Sequence, residues 1–286
     1  RPGSSIAGPR NCLMICRHYW LFWAMSSPKP VNSPKPINSL IPAWPAPETV
    51  GAAITIRSGG CSRAPYNDNN LALHVGDNEF DVEANRQLLA SRLGLAEQPL
   101  WLQQVHGTEI VYGPNADGTP IADASYSDKA GAACVVMTAD CLPVLMCNRQ
   151  GTRVAAAHAG WRGLCNGILR KTVATFAPDD QLLAYLGPAI GPKAFEVGAE
   201  VLQAFQDRAQ NPRHMQAIKA AFVPALPGKY LADLYALARA ELACSGVDAV
   251  YGGDYCTFND AERFYSYRRE PETGRFASLI WLKDSE

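Results

Sequence analysis

Three short apolar runs follow one another in the middle of this chain: Ala133 to Thr138, Leu142 to Cys147 and Arg153 to His158. Each is rich in valine and alanine. The last two are separated by Asn148-Arg149-Gln150-Gly151, a sequence with turn chemistry. Runs of this length without polar alternation belong to strands covered on both faces. They are therefore expected as neighbouring strands of one interior sheet, which needs helices or a second sheet to cover it. Further strands are expected at Val50 to Arg57, Trp101 to Val105, Ile110 to Tyr112, Leu182 to Leu186, Val247 to Gly252, Phe264 to Tyr267 and Phe276 to Leu282. Helical spacing predicts helices over Asp81 to Leu95 (Asp81 as N-cap), Gly163 to Phe176, Gly198 to Arg208, Pro212 to Phe222 and Leu231 to Cys244. Intermixed strands and helices with no interior linker point to one α/β (α+β mixed) domain.

The 286 residues suffice for a sizeable core, with 48% apolar and 19% charged residues. A net charge of −1 gives no general attraction to nucleic acid or anionic lipid, and neither partner is expected. Nine cysteines, an odd number without a repeated spacing, read as reduced thiols in a cytoplasmic protein. The expected state is a monomer or homodimer.

The first 40 residues differ from the rest. Asn11 to Met25 is apolar but broken by Arg17 and His18, and is shorter than a membrane span. The tandem SPKPVN and SPKPIN (Ser27 to Asn38) reads as an extended, solvated linker. Met25 is expected as the natural start, with residues 1–24 as upstream sequence. The division expected is a disordered Pro-rich leader over 1–40 and a catalytic domain over 41–286.

Three residues at strand ends are candidates for chemistry. His106 precedes Gly107, Cys141 follows Thr138-Ala139-Asp140, and His158 ends an alanine run ahead of Gly160-Trp161-Arg162-Gly163. Two histidines and a cysteine suit zinc, and copper is chemically open. Three protein ligands would leave a fourth position for water or substrate. Spacing alone does not decide, because the residues lie 35 and 17 positions apart and match no short metal motif. Each is also compatible with a structural histidine or a core cysteine, and Cys141 with His158 could form a nucleophile–base pair. Asp140 could orient a ligand histidine or cap its turn, and Asp123 is ambiguous in the same way. Arg57, Arg162 and Arg268, beside glycine turns or aromatic runs, are candidates for binding an anion. Tyr66 and Phe264 could stack on a flat ring or fill the core.

Longer motifs carry a resemblance. WLQQVHG (Trp101 to Gly107), MTADCLPVLMCN (Met137 to Asn148), AAAHAGWRGLCNGIL (Ala155 to Leu169), LGPAIGPKAFEVG (Leu186 to Gly198), KYLADLYALAR (Lys229 to Arg239), GGDYCTF and FYSYRR are similar to the YfiH-like family, also called the multicopper polyphenol oxidase or laccase-domain family. The resemblance covers about Ile41 to Lys283 and leaves out the Pro-Lys segment. It implies mixed β-sheets layered between helices, as in the catalytic domain of cytotoxic necrotizing factor toxins. It implies a zinc centre on His106, Cys141 and His158. It further implies phosphorolysis of adenosine, inosine, guanosine and methylthioadenosine, and deamination of adenosine. Phosphorolysis needs an anion pocket, for which Arg57, Arg162 and Arg268 are the candidates. The resemblance also admits a copper-dependent polyphenol oxidase and a cysteine hydrolase editing peptidoglycan precursors. Four histidines in the body (His74, His106, His158, His214) are too few for a multinuclear copper cluster. A metal-stabilised binding protein without turnover is the remaining alternative.

Overall fold

From residue 34 to 284, the range that the computed structural model describes, the first half of the chain forms β1 (Ser39–Leu40), β2 (Val50–Thr55), α1 (Glu79–Leu93), β3 (Ile110–Tyr112), β4 (Ala124–Ser127), β5 (Cys134–Thr138), β6 (Leu142–Asn148) and β7 (Val154–Ala159). The second half adds α2 (Trp161–Cys165), α3 (Ile168–Val173), β8 (Leu182–Leu186), β9 (Glu196–Gly198), α4 (Ala199–Gln206), α5 (Pro212–Ala220), β10 (Phe222–Pro224), β11 (Lys229–Ala232), α6 (Leu234–Cys244), β12 (Ala249–Gly252) and β13 (Phe276–Leu282). They make a four-stranded sheet, β1-β2-β13-β5, a six-stranded sheet, β12-β8-β6-β7-β4-β3, and a small sheet, β10-β11-β9. The six-stranded sheet is mixed: β12 with β8 and β3 with β4 are parallel, the other pairs antiparallel.

The three apolar runs are fully buried strands, but they do not share a sheet. β5 pairs with β13 in the four-stranded sheet, whereas β6 and β7 pair with each other in the six-stranded one. Alternation of side chains along a strand explains how both faces of each run are covered. Cys134 and Val136 of β5 meet Leu145 and Cys147 of β6 and Val154 and Ala156 of β7 between the two sheets. Val135 and Met137 face outward onto Leu89 of α1 and Trp101. Leu142, Val144, Ala155 and Ala157 face the other way, onto Leu164, Ile168 and Leu169 of α2 and α3 and Leu237 of α6. The layers run helix, sheet, sheet, helices, the mixed-sheet arrangement that the family resemblance implied, in place of the single interior sheet expected for the three runs.

Several boundaries differ from expectation for local reasons. The N-cap of α1 is Asn78, whose side chain accepts N–H bonds from Phe80 and Asp81, so Asp81 lies inside the first turn. The helix expected over Gly163 to Phe176 is two short ones, broken where Gly167 takes φ 87°. Leu231 begins no helix, because Lys229–Ala232 pairs in the small sheet and Asp233 caps α6. Trp101 to Val105 forms only one bridge, Gln103 to Ile121. Phe264 to Tyr267 is not a strand. It is an irregular segment in which Phe264, Tyr265 and Ser266 are fully buried, and Arg269 donates to the carbonyls of Thr257, Phe258 and Phe264. A run of buried aromatics thus imitates a strand. Tyr66 and Phe264 are core residues, not stacking surfaces.

Met25 and the first SPKPVN copy lie outside the described residues. Part of the second copy, expected as solvated linker, packs on the body. Lys35 bridges to Gly60, Ile37 is 1% exposed among Leu71, Leu89 and Trp101, and Ser39–Leu40 pairs with β2. Among the described residues no helix is long and apolar enough to cross a membrane, and their seven cysteines are all free. The docking of this segment is testable. Ile37→Ala should cost about 2–4 kcal/mol in chemical denaturation, the range for a truncated core aliphatic. A solvated linker residue would leave the midpoint unchanged.

Candidate metal centre

β4 begins, β6 begins and β7 ends at the same edge of the six-stranded sheet, because β7 runs antiparallel to both neighbours. That edge gathers the chemistry. His158 pairs with Pro143 on β6 and shares the inter-sheet face of β7 with Val154 and Ala156. Cys141 lies where the chain leaves the four-stranded sheet after β5 and enters β6. Asp140 makes this crossing with φ 90°, a conformation rare outside glycine. His106 lies in the loop before β3, also left-handed at φ 59°.

The ligand atoms of His106, Cys141 and His158 all lie within 4.8 Å of one another. Cys141 Sγ is 3.6 Å from His106 Nε2, which matches the ~3.6 Å separation of sulfur and nitrogen on a tetrahedral zinc with ordinary bond lengths. A Cβ added to Gly160 would lie 2.9 Å from His106 Cδ2, 3.0 Å from Cys141 Sγ and 3.5 Å from His158 Nε2. The glycine thus keeps open the concavity that the three side chains share. The geometry and the borderline-soft donor set fit a first-row metal ion, and three protein donors leave a further position open.

Electrostatics favour the same reading. Burial opposes ionisation of Cys141, but the His158 charge and hydrogen bonding to His106 and His158 outweigh it and pull the thiol down to about 6. Burial likewise opposes charging of His158, and the Cys141 thiolate and Asp123 together push it up to about 9. Asp123, fully buried, accepts from His158 Nδ1 at 2.8 Å and from the backbone N–H groups of His106 at 2.9 Å, Gly107 at 2.6 Å and Val105 at 3.2 Å. Burial raises this carboxyl, but those donors hold it below its ordinary value. Asp140 does not orient a histidine. Its carboxylate accepts from Thr257 Oγ1 at 2.6 Å and from the Arg268 backbone N–H at 2.7 Å, tying the C-terminal loop over the centre.

The three donors line a cavity of about 470 Å³ together with His74, Gln104, Met137, Thr138, Ala139, Tyr267 and Arg275. None of Arg57, Arg162 and Arg268 lines it. Arg57 donates to the carbonyls of Asn67 and Ala261 and pairs with Glu270. Arg162 is exposed and lies over Trp161. Arg268 reaches away to the Glu196 carbonyl. The arginine of the cavity is Arg275, not singled out in the sequence. One of its terminal nitrogens donates to the Thr273 and Gly274 carbonyls, and the guanidinium carbon lies 5.7 Å from the Tyr267 ring centre. The sequence does carry a signal for it, since Gly274-Arg275 stands immediately before a strand as the other candidates stand beside turns. Tyr267, 56% exposed, supplies the aromatic face expected of Tyr66 or Phe264.

Fold and site together define an α/β protein with a candidate three-ligand centre at the seam of two sheets. The chain belongs to the YfiH-like family: residues 51–283 match the family described as multi-copper polyphenol oxidoreductase laccase. A Pseudomonas aeruginosa protein named purine nucleoside phosphorylase is 55% identical over 249 residues, covering 86% of this chain and 98% of its own. The Escherichia coli protein named purine nucleoside phosphorylase YfiH is 52% identical, covering 85% and 98%. A crystal structure of a Neisseria meningitidis protein, 50% identical, aligns with TM-score 0.81 over 86% of this chain and all of that one. YlmD from Geobacillus stearothermophilus, 29% identical, aligns with TM-score 0.76 over 88% and 100%.

Two outcomes follow from the geometry. Gly160 has φ −57° and ψ 154°, which alanine adopts freely, so Gly160→Ala should fold but bind zinc at least ~10-fold more weakly in a chelator competition, its methyl lying among the ligands. In metal-free protein, alkylation of Cys141 by iodoacetamide should be half-maximal near pH 6 and fall away below it as the thiolate is protonated. A midpoint at the usual thiol value would show that the histidines do not hold the charge.

Proposed function

We propose that this protein is a zinc-dependent purine nucleoside phosphorylase acting on adenosine, inosine, guanosine and methylthioadenosine, and that it also deaminates adenosine. The observation that carries this reading is the meeting, in one cavity, of an open His-Cys-His donor set with a guanidinium and an aromatic face. The names of the close relatives supply the substrate class. Zinc, bound by His106, Cys141 and His158, would supply Lewis acidity, acidifying water and polarising the substrate.

The chain's own residues supply the rest. Phosphorolysis joins a phosphate oxygen to the anomeric carbon as the bond from that carbon to the purine nitrogen breaks, and the purine leaves with a proton. The sugar product is ribose 1-phosphate, or 5-methylthioribose 1-phosphate from methylthioadenosine. Arg275 is the phosphate anchor in this proposal, since its guanidinium faces the cavity with donors beyond the two carbonyl bonds. Arg268 and Arg162, which do not line the cavity, are secondary candidates for the anion in this proposal. Arg57 is committed to the loops it bridges. Tyr267 offers a face on which a purine can stack. Asp140 holds the loop bearing Tyr267 and Arg268 in place through the Arg268 N–H.

The test is ribose 1-phosphate formation from inosine and phosphate. Cys141→Ala should abolish it and lose the metal. Arg275→Ala should raise the phosphate KM about 10- to 100-fold with the inosine KM nearly unchanged, the loss expected for hydrogen bonds to a charged partner. Arg268→Ala should raise it less. Unchanged phosphate KM in all three arginine variants (Arg162→Ala included) would remove the anion assignment. No turnover of any of the four nucleosides by metal-loaded protein would remove the phosphorylase reading.

A further inference from the structure

Asp123 sits one residue before β4 and touches neither the cavity nor any atom that would bind a metal. It nevertheless joins two of the three ligands. Oδ1 accepts from His158 Nδ1 at 2.8 Å and from the His106 N–H at 2.9 Å. Oδ2 accepts from Gly107 N–H at 2.6 Å and Val105 N–H at 3.2 Å. Three successive backbone donors around one anion form a concave nest of the kind that needs a left-handed residue within it, and here that residue is His106 at φ 59°. The backbone of Asp123 adds a further tie, since its carbonyl accepts from His158 N–H at 2.7 Å.

We propose that Asp123 is the positioning residue of the centre: one carboxylate that sets both the ring orientation and tautomer of His158 and the backbone conformation presenting His106. The four donors require acceptors on both oxygens, so the amide of an Asp123→Asn variant fits in neither orientation. With the amide oxygen facing Gly107 and Val105, the NH2 would face His158 Nδ1 and the His106 N–H. His158 would then have to accept at Nδ1 and carry its proton on Nε2, where no lone pair is left for a metal. With the oxygen facing His158, the NH2 would oppose the N–H groups of Gly107 and Val105 and push apart the loop that carries His106. Either way one ligand is lost or displaced. The proposal rests on the metal reading of His106, Cys141 and His158, not on the phosphorylase reading.

The experiment compares wild type, Asp123→Asn and Glu241→Gln, the last removing a buried carboxylate on α6 away from the centre as a control for lost stability. Zinc dissociation constants come from chelator competition, and the cobalt-substituted visible spectrum reports ligand geometry. Asp123→Asn should bind zinc about 10- to 100-fold more weakly with a changed cobalt spectrum, while Glu241→Gln lowers stability without changing either. Equal zinc affinity and an unchanged spectrum in Asp123→Asn would overturn the proposal. Wild type that binds no zinc or cobalt would overturn the metal reading beneath it. Should Asp123→Asn fail to fold, nitrogen NMR of zinc-loaded wild type decides: His158 protonated at Nδ1 supports the assignment, and protonation at Nε2 refutes it.

Discussion

The register of β7 between β4 and β6 is the constraint on which the centre depends. Pairing Leu142 with Ala159, Pro143 with His158 and Ala124 with Ala157 brings the starts of β4 and β6 and the end of β7 to one edge. A slip of one residue would turn His158 from the inter-sheet face to the helix face and move it away from Cys141. The ladder is protected against slipping from both sides. Val154 and Ala156 are buried between the sheets, and Ala155, Ala157 and Ala159 under the helices. Exchanging the two sets would press valine where alanine lets the helices approach. The bond from His158 N–H to the Asp123 carbonyl extends the β4–β7 ladder to the ligand itself.

The same edge carries costs that the fold alone does not explain. His106 and Asp140 hold left-handed backbone conformations, each costing on the order of 1–3 kcal/mol for a residue with a side chain. Asp123 is a carboxylate with no exposure, and Cys141 is drawn towards its thiolate. Two negative groups set around two imidazoles suit a divalent cation in charge as well as in distance. Such an ion would favour the thiolate further and the neutral, Nδ1-protonated form of His158, because a bound cation reverses the local preference for protonation. The strained backbone, the buried carboxylate and the depressed thiol are then consequences of one requirement.

Much of this was legible in the chain. The apolar runs read as buried strands because valine and alanine without polar alternation suit cover on both faces. Cys141 and His158 stand out as reactive side chains at the ends of such runs, while the grouping of both with His106 comes from the family resemblance and not from spacing. What pattern could not reveal was which sheet each run would join. Thr138-Ala139-Asp140-Cys141 reads as an ordinary turn, and only the pairing of β5 with β13, from the far end of the chain, shows it to be a crossing between sheets. Pairing over that distance leaves no mark in local periodicity. The arginines that do not line the cavity were hard to place for a related reason. Arg57, Arg162 and Arg268 occupy suggestive neighbourhoods in sequence, but whether a guanidinium faces a cavity or a row of carbonyls depends on loops folded back from elsewhere. Asp123 and Asp140 were indistinguishable as letters. Their roles separate only because Asp123 shares an edge with His158, while Asp140 lies under Thr257 and Arg268.

The donor set also bears on the oxidase description that the family carries. Reduction of oxygen by a laccase-type route draws electrons through several coppers, and each copper requires its own histidines. Among the described residues, one group of three or more potential ligands is close enough to share an ion. His214 is turned towards Glu241 and the Gln210 N–H between α5 and α6, so it has no part in that group. His74 lines the cavity, where it adds at most one more nitrogen beside Arg275. Such a donor set is one for a single ion rather than a cluster. A single centre with an open position, next to a guanidinium, is built to polarise and orient an anionic or oxygen-rich partner rather than to store several electrons. That arrangement suits the group transfer and hydrolysis proposed above.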